Sequence, residues 1–247
     1  MTRQPGSPLL VDRPGSESPD MARRLTIDWP DAAPFVDRDG QPIRLLAVSD
    51  APDPTLVDQR NRRALGRIDL ILGCGDLDCH ELSFVADGFN APLIYVHGNH
   101  DTDARWATCK STCPEPVVST AIQHEAGLSI AGLSWPGKRG PGASRSERKA
   151  WSQALRLATR RLGHQDPLIV ISHVPPLGCG DVPSDGYHRG FAGYHWLLER
   201  LQPRLWLHGH TPLAAATDWR LEHGPTTVVN ATGSVLIELR PPPADAR

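Results

Sequence analysis

The chain has 247 residues, with 26 Lys+Arg against 28 Asp+Glu and a formal net charge of -2. It is long enough for a large α/β domain and needs no disulfide or metal staple simply to fold. The near-zero charge excludes a polycationic nucleic-acid binder, and no apolar run approaches the roughly 18 residues of a membrane helix.

Residues 1–42 hold seven of the 24 prolines and show no clear period. Residues 1–20 read as disordered and the rest of that stretch as a lead-in to a domain at 43–240. Pro241-Pro242-Pro243 opens a tail at 241–247. A strand at 43–48, a helix at 56–65, a strand at 68–72, a helix at 80–89 and a strand at 92–96 form a βαβαβ opening. That order implies a parallel sheet with right-handed crossovers. A strand follows at 128–133, then a Gly/Pro/basic loop at 136–142. A long helix is expected at 144–162, with Ser144 as its N-cap and Glu147 completing a capping box. A strand at 168–172, a helix at 191–201 and a strand at 204–207 come next. Three runs near 214–219, 226–230 and 235–239 read as a closing β meander. The first 20 residues hold no apolar h-region, so no Sec-type signal peptide is expected. Five irregularly spaced cysteines point to a reducing cytoplasm, with Cys74, Cys79 and Cys179 as small apolar fillers.

The informative polar residues follow the strands. The first ends in Asp50, the second in Gly75-Asp76, the third in Gly98-Asn99-His100-Asp101, a later one in His173, and another in Gly209-His210. Ligands of open α/β sheets bind at the carboxyl ends of strands. Asp, Asn and His together form an oxygen and nitrogen donor set that suits a borderline divalent ion rather than a Cys-rich zinc site.

In that order these motifs resemble the signature of the calcineurin-like metallophosphoesterase superfamily, over about residues 43–240. The resemblance implies a four-layer α/β/β/α sandwich and a centre of one or two divalent ions per chain, Mn first, with Fe or Zn as alternatives. Asp50 would belong to the first metal site and Asp76 would bridge to the second, which Asn99, His173 and His210 complete. His100 would face the leaving-group oxygen, with Asp101 orienting its ring. The sequence departs from the pattern twice, where Asp50-Ala51-Pro52 and Gly209-His210-Thr211-Pro212 each lack a histidine of the first site. That site is therefore empty, or rebuilt from His208, Asp53, His80 or His188, or the protein is catalytically dead. The His188-Arg189-Gly190-Phe191 segment is similar to one in a branch of the superfamily that lacks the first-motif His, which favours rebuilding.

His188 and Arg189 are candidate substrate contacts on a Gly-rich loop. Lys138 and Arg139 are candidates for steering an anionic substrate. Trp106 and Trp135 either line a cleft or simply pack. The reading is a cytoplasmic metal-dependent phosphoesterase, in which a metal-activated hydroxide attacks small phosphodiesters or phosphomonoesters. A diester is favoured because His100 is present to assist a poor leaving group. No membrane role is expected, and the lack of a basic stripe argues against nucleic acid. The alternative is a non-catalytic binding protein on the same fold.

Overall fold

The computed structural model describes residues 23–51, 53–102, 104, 106, 113–215 and 218–243. Two sheets face each other. The first has the strand order β1 (Arg23–Asp28), β13 (Gly233–Arg240), β2 (Ile43–Ser49), β3 (Leu70–Gly73), β4 (Leu93–Tyr95). The second has the order β11 (Arg220–His223), β12 (Thr226–Asn230), β10 (Leu205–His208), β9 (Leu168–Ser172), β6 (Leu128–Leu133), β5 (Ile122–Glu125). A two-residue ribbon pairs β7 (Gly137–Lys138) with β8 (Ser144–Arg145).

The alternation of side chains along each strand builds the layers. In β2, Leu45 and Ala47 point into the cluster between the sheets, while Leu46 and Val48 join the cluster on the outer face. Helices α1 (Gln59–Leu65) and α2 (Cys79–Phe89) cover that outer face. On the far side, Trp206 and Val170 of the second sheet pack under α3 (Glu147–Arg160) and α4 (Ala192–Leu201). Both faces of both sheets are thus buried, which is why the central strands read as unbroken apolar runs. The result is the expected α/β/β/α sandwich, with β2, β3 and β4 parallel. Among the described residues no helix is long and apolar enough to cross a membrane.

Four expectations change. The stretch read as a lead-in supplies β1, which runs parallel to β13 and buries Leu25 and Ile27, and it also supplies the fully buried Trp29. Leu25, Ile27 and Trp29 alternate there, a short signal set among prolines and charges. The closing strands are not a meander: β11 and β12 pair antiparallel, but β13 crosses to the other sheet and lies between β1 and β2. Periodicity marks a strand and says nothing of which sheet receives it. The N-cap of α3 is Ser146, whose side chain accepts from Lys149 N, while Ser144 lies in β8. Finally, Cys79 is disulfide-bonded, whereas Cys74, Cys113 and Cys179 are free. The expected 1–20 segment and residues 244–247 of the tail lie outside the described residues, as does Cys109.

Candidate metal centre

The motif residues meet at one edge of the sandwich. β2, β3 and β10 each run into a sharp turn, and the turn residues Asp50, Asp76 and His210 have φ of 63°, 57° and 65°. A left-handed conformation costs a non-glycine residue about 1–2 kcal/mol. Three such residues at one edge fit strain concentrated at a functional site.

His173, fully buried after β9, is the hub. Its Nδ1 lies 2.9 Å from the Cys74 carbonyl, which can only accept, so Nδ1 carries the proton and Nε2 holds the lone pair. Nε2 lies 3.0 Å from Asp76 Oδ2, 2.9 Å from Asn99 Oδ1 and 3.2 Å from His210 Nδ1. His210 repeats the arrangement, with Nε2 donating to the Tyr187 carbonyl at 2.8 Å and Nδ1 left as the lone pair. With both imidazoles neutral, a carboxylate oxygen, an amide oxygen and two imidazole nitrogens would face one another with no proton between them. Such a set repels itself unless a cation joins it, so these four side chains fit a divalent ion.

Without an ion, a proton on His173 relieves the repulsion. Burial alone would lower the His173 pKa, but the charge and hydrogen bond of Asp76, helped by Asp50, raise it to about 9. Burial likewise works to raise the Asp76 pKa, and His173 with the His100 amide brings it below the ordinary value. Burial, then the charge of His173, pushes His210 down to about 3.

Asp50 accepts the His210 amide at 2.9 and 3.0 Å and the Thr232 hydroxyl at 3.1 Å. Asp50, Asp76 and His173 also have ligand atoms within 4.8 Å of one another, so Asp50 remains in reach of the centre. His100 is exposed. Its amide donates to Asp76 Oδ1 at 2.7 Å and its Nε2 lies 4.0 Å from Asp76 Oδ2.

Other expected roles are corrected. Asp101 does not reach for the His100 ring: its buried Oδ2 accepts the amides of Asp76 at 2.9 Å and Gly98 at 2.7 Å, bracing two motif loops against each other. His208 is not brought to the centre. Two residues apart would share a face on an extended chain, but the positive φ of His210 ends the extended run between them. His208 is buried instead, with Nδ1 2.9 Å from the Gly209 carbonyl and Nε2 packed against Gly180. Burial lowers its pKa to about 4.

The remaining candidates for the first site have these surroundings among the described residues. Asp53 caps a 3-10 turn through the Thr55 amide and hydroxyl. His80 sits in the first turn of α2, its amide held by Asp78. His188 pairs with Asp185, although its ring lies 5.3 Å from that of His210. Arg189 is exposed on the same loop, and its carbonyl accepts from Arg145. The loop of Lys138 and Arg139 does reach the rim, because Gly140 N donates to the Asn99 carbonyl at 2.7 Å. Lys138 is exposed there, while Arg139 contacts His97 Nδ1. Trp135 backs the centre, its ring 5.6 Å from His210 and 6.3 Å from His173. Trp106 stacks on Tyr95.

Sequence reasoning missed Tyr187. Its hydroxyl lies 2.7 Å from Asn99 Nδ2 and 3.1 Å from His100 Nε2. A tyrosine in a Gly-rich loop carries no spacing that would single it out.

Residues 54–214 match the family model described as calcineurin-like phosphoesterase. The crystal structure of the Thermus thermophilus protein TT1561 is similar, with a TM-score of 0.53 at 18% identity, over 78% of this chain and 90% of that one. A dimetal phosphatase from Danio rerio is similar with a TM-score of 0.51 at 12% identity, over 78% and 88%. Likenesses at these identities concern the fold. No curated protein sequence matches the chain.

Proposed function

Because the chain belongs to the calcineurin-like phosphoesterase family, we propose that it hydrolyses small phosphate esters, diesters in preference to monoesters, with a divalent ion held by Asp76, Asn99, His173 and His210. The convergence of those four acceptors on His173 Nε2 and its surroundings carries this reading. Manganese is the first candidate for a mixed Asp, Asn and His set, with iron or zinc as alternatives. When bound, the ion supplies Lewis-acid charge and brings the pKa of a coordinated water toward neutrality.

The chain's own residues do the rest. Hydrogen bonds from His173 to Cys74 and from His210 to Tyr187 fix which nitrogen of each ring faces the ion. The exposed His100 ring is placed to donate to a leaving oxygen as negative charge grows there, and such a donor matters most for a poor leaving group. Asp101 holds the loops of Asp76 and Asn99 in register through backbone amides. Lys138, exposed on the loop whose Gly140 meets Asn99, favours the approach of an anion. Attack is direct, with no covalent enzyme intermediate. The first site retains Asp50 and the shared Asp76, so one ion per chain binds tightly.

The test is hydrolysis of bis(p-nitrophenyl) phosphate by chelated protein, with Mn, Fe or Zn restored, beside Asp76→Asn. Activity that returns with metal and falls at least ~100-fold in the variant supports the reading, since this change removes a charged ligand of the ion. Wild-type protein that stays inactive with all three metals overturns it.

A further inference from the structure

Tyr187 touches two of the four donors through two different groups. Its carbonyl accepts from His210 Nε2 at 2.8 Å, and its phenol oxygen lies 2.7 Å from Asn99 Nδ2. The amide nitrogen of Asn99 can only donate, so the phenol oxygen is its acceptor. A phenol can also donate, but with its proton given to His100 Nε2 at 3.1 Å its oxygen only accepts from Asn99, and that bond then decides which way the amide points. With Nδ2 held by Tyr187, Oδ1 faces His173 Nε2 at 2.9 Å, among the other donors. Flipped, the same amide would present an NH2 group there, and an NH2 group cannot ligate a cation.

The loop carrying Tyr187 is itself held. The Arg145 guanidinium of β8 donates to the carbonyls of Tyr187 and Gly190, both at 3.0 Å, and lies 4.4 Å above the Phe191 ring. Asp181 accepts the amides of Gly178 at 2.9 Å and Gly190 at 2.7 Å. Asp185 accepts the Tyr187 amide at 2.9 Å. A half-exposed tyrosine on an unpinned loop could not aim a ligand, whereas this loop is tied to β8 by Arg145 and braced internally by Asp181 and Asp185.

We propose that Tyr187 is a positioning residue that aims two ligands of the metal centre, locking the amide of Asn99 with its hydroxyl and the tautomer of His210 with its carbonyl. This rests on the metal site proposed above. It assigns the loop at 181–190 a task that the two departures from the family pattern make necessary: where one site has lost ligands, the other depends more on the aim of those it keeps.

The test is calorimetric titration of the chelated full-length chain with Mn2+, comparing wild type, Tyr187→Phe, Asn99→Asp and the double variant. Tyr187→Phe removes the phenol oxygen alone and should weaken Mn2+ binding by about 10-fold, the lower end for loss of an orienting partner of a metal ligand. A carboxylate has no wrong way round, so in the Asn99→Asp background the same change should alter Kd by less than about twofold. The metal-free melting temperature should stay the same on Tyr187→Phe. Equal losses in both backgrounds, or a Tyr187→Phe chain that binds as wild type does, overturn the proposal and leave the metal site standing. Wild-type protein with no measurable Mn2+ affinity overturns both.

Discussion

A single hydrogen atom at Gly98 separates two motif loops. A Cβ built there would overlap Asp76 Oδ1 and lie 2.7 Å from Asp76 Cγ. That carboxylate is not a flexible end that could swing aside, because His100 N and His173 Nε2 hold its two oxygens. Gly98→Ala is therefore expected to displace the Asp76 carboxylate and weaken Mn2+ binding at least ~10-fold, and the overpacking itself to lower stability by about 1–3 kcal/mol. Titration calorimetry and urea denaturation of the same variant check the two parts. At this scale the sequence was most informative where a short polar residue follows a buried strand, as Asp50, Asp76, Asn99, His173 and His210 do. It was least informative where the backbone departs from the extended rule, and His208 shows why: a positive φ two residues later turned an expected ligand into a core histidine. Tyr187 was invisible because its role depends on a loop folded back over residues far away in sequence.

The start of α3 is an element where two serines compete for one role. Ser144 with Glu147 has the spacing of a capping box, yet Ser144 is paired with Lys138 in the β7–β8 ribbon. Ser146 holds the N-cap position, its hydroxyl 3.3 Å from Lys149 N. The ribbon wins because the Trp135 indole donates to the carbonyls of both Lys138 and Ser144, at 3.1 and 3.3 Å, and fixes the chain as extended until residue 145. Ser146→Ala should cost about 1 kcal/mol of stability, the usual loss for an N-cap. Ser144→Ala should stay within about 0.5 kcal/mol, because only its backbone is engaged. Denaturant midpoints of the two variants decide between the placements, and a larger loss for Ser144→Ala would contradict this account. Elements with long, strongly apolar runs, such as β2, β6 and β9, were legible with boundaries close to those observed. β1, with two apolar residues among four polar or charged ones, and β13, which changes sheets, depend on partners more than 200 and 180 residues away, and periodicity carries no such information.

Buried histidines also give the whole molecule a pH profile with two limbs. His208 has its pKa lowered to about 4, chiefly by burial. Between pH 4 and its ordinary value of 6.5 the unfolded chain binds a proton that the native chain refuses. Its contribution is therefore complete above about pH 6.5 and is lost as pH falls toward 4, at a rate approaching ~1.4 kcal/mol per pH unit. His210, lowered to about 3, acts in the same direction. His173, raised to about 9, acts in the opposite one: in the metal-free chain its contribution is complete below about pH 6.5 and is lost as pH rises through 9. Chelated protein should thus be most stable near pH 6.5 and weaken on both sides. His208→Asn removes an imidazole that the centre does not use, so it should flatten the acid limb and leave the alkaline limb intact. A divalent ion takes the place of the proton on His173, so metal should flatten the alkaline limb. Urea denaturation of wild type and His208→Asn from about pH 4.5 to about 9, with chelator and with Mn2+, separates the two effects. An acid limb as steep in the variant as in the wild type would show that His208 is not the group that loads the native fold at low pH.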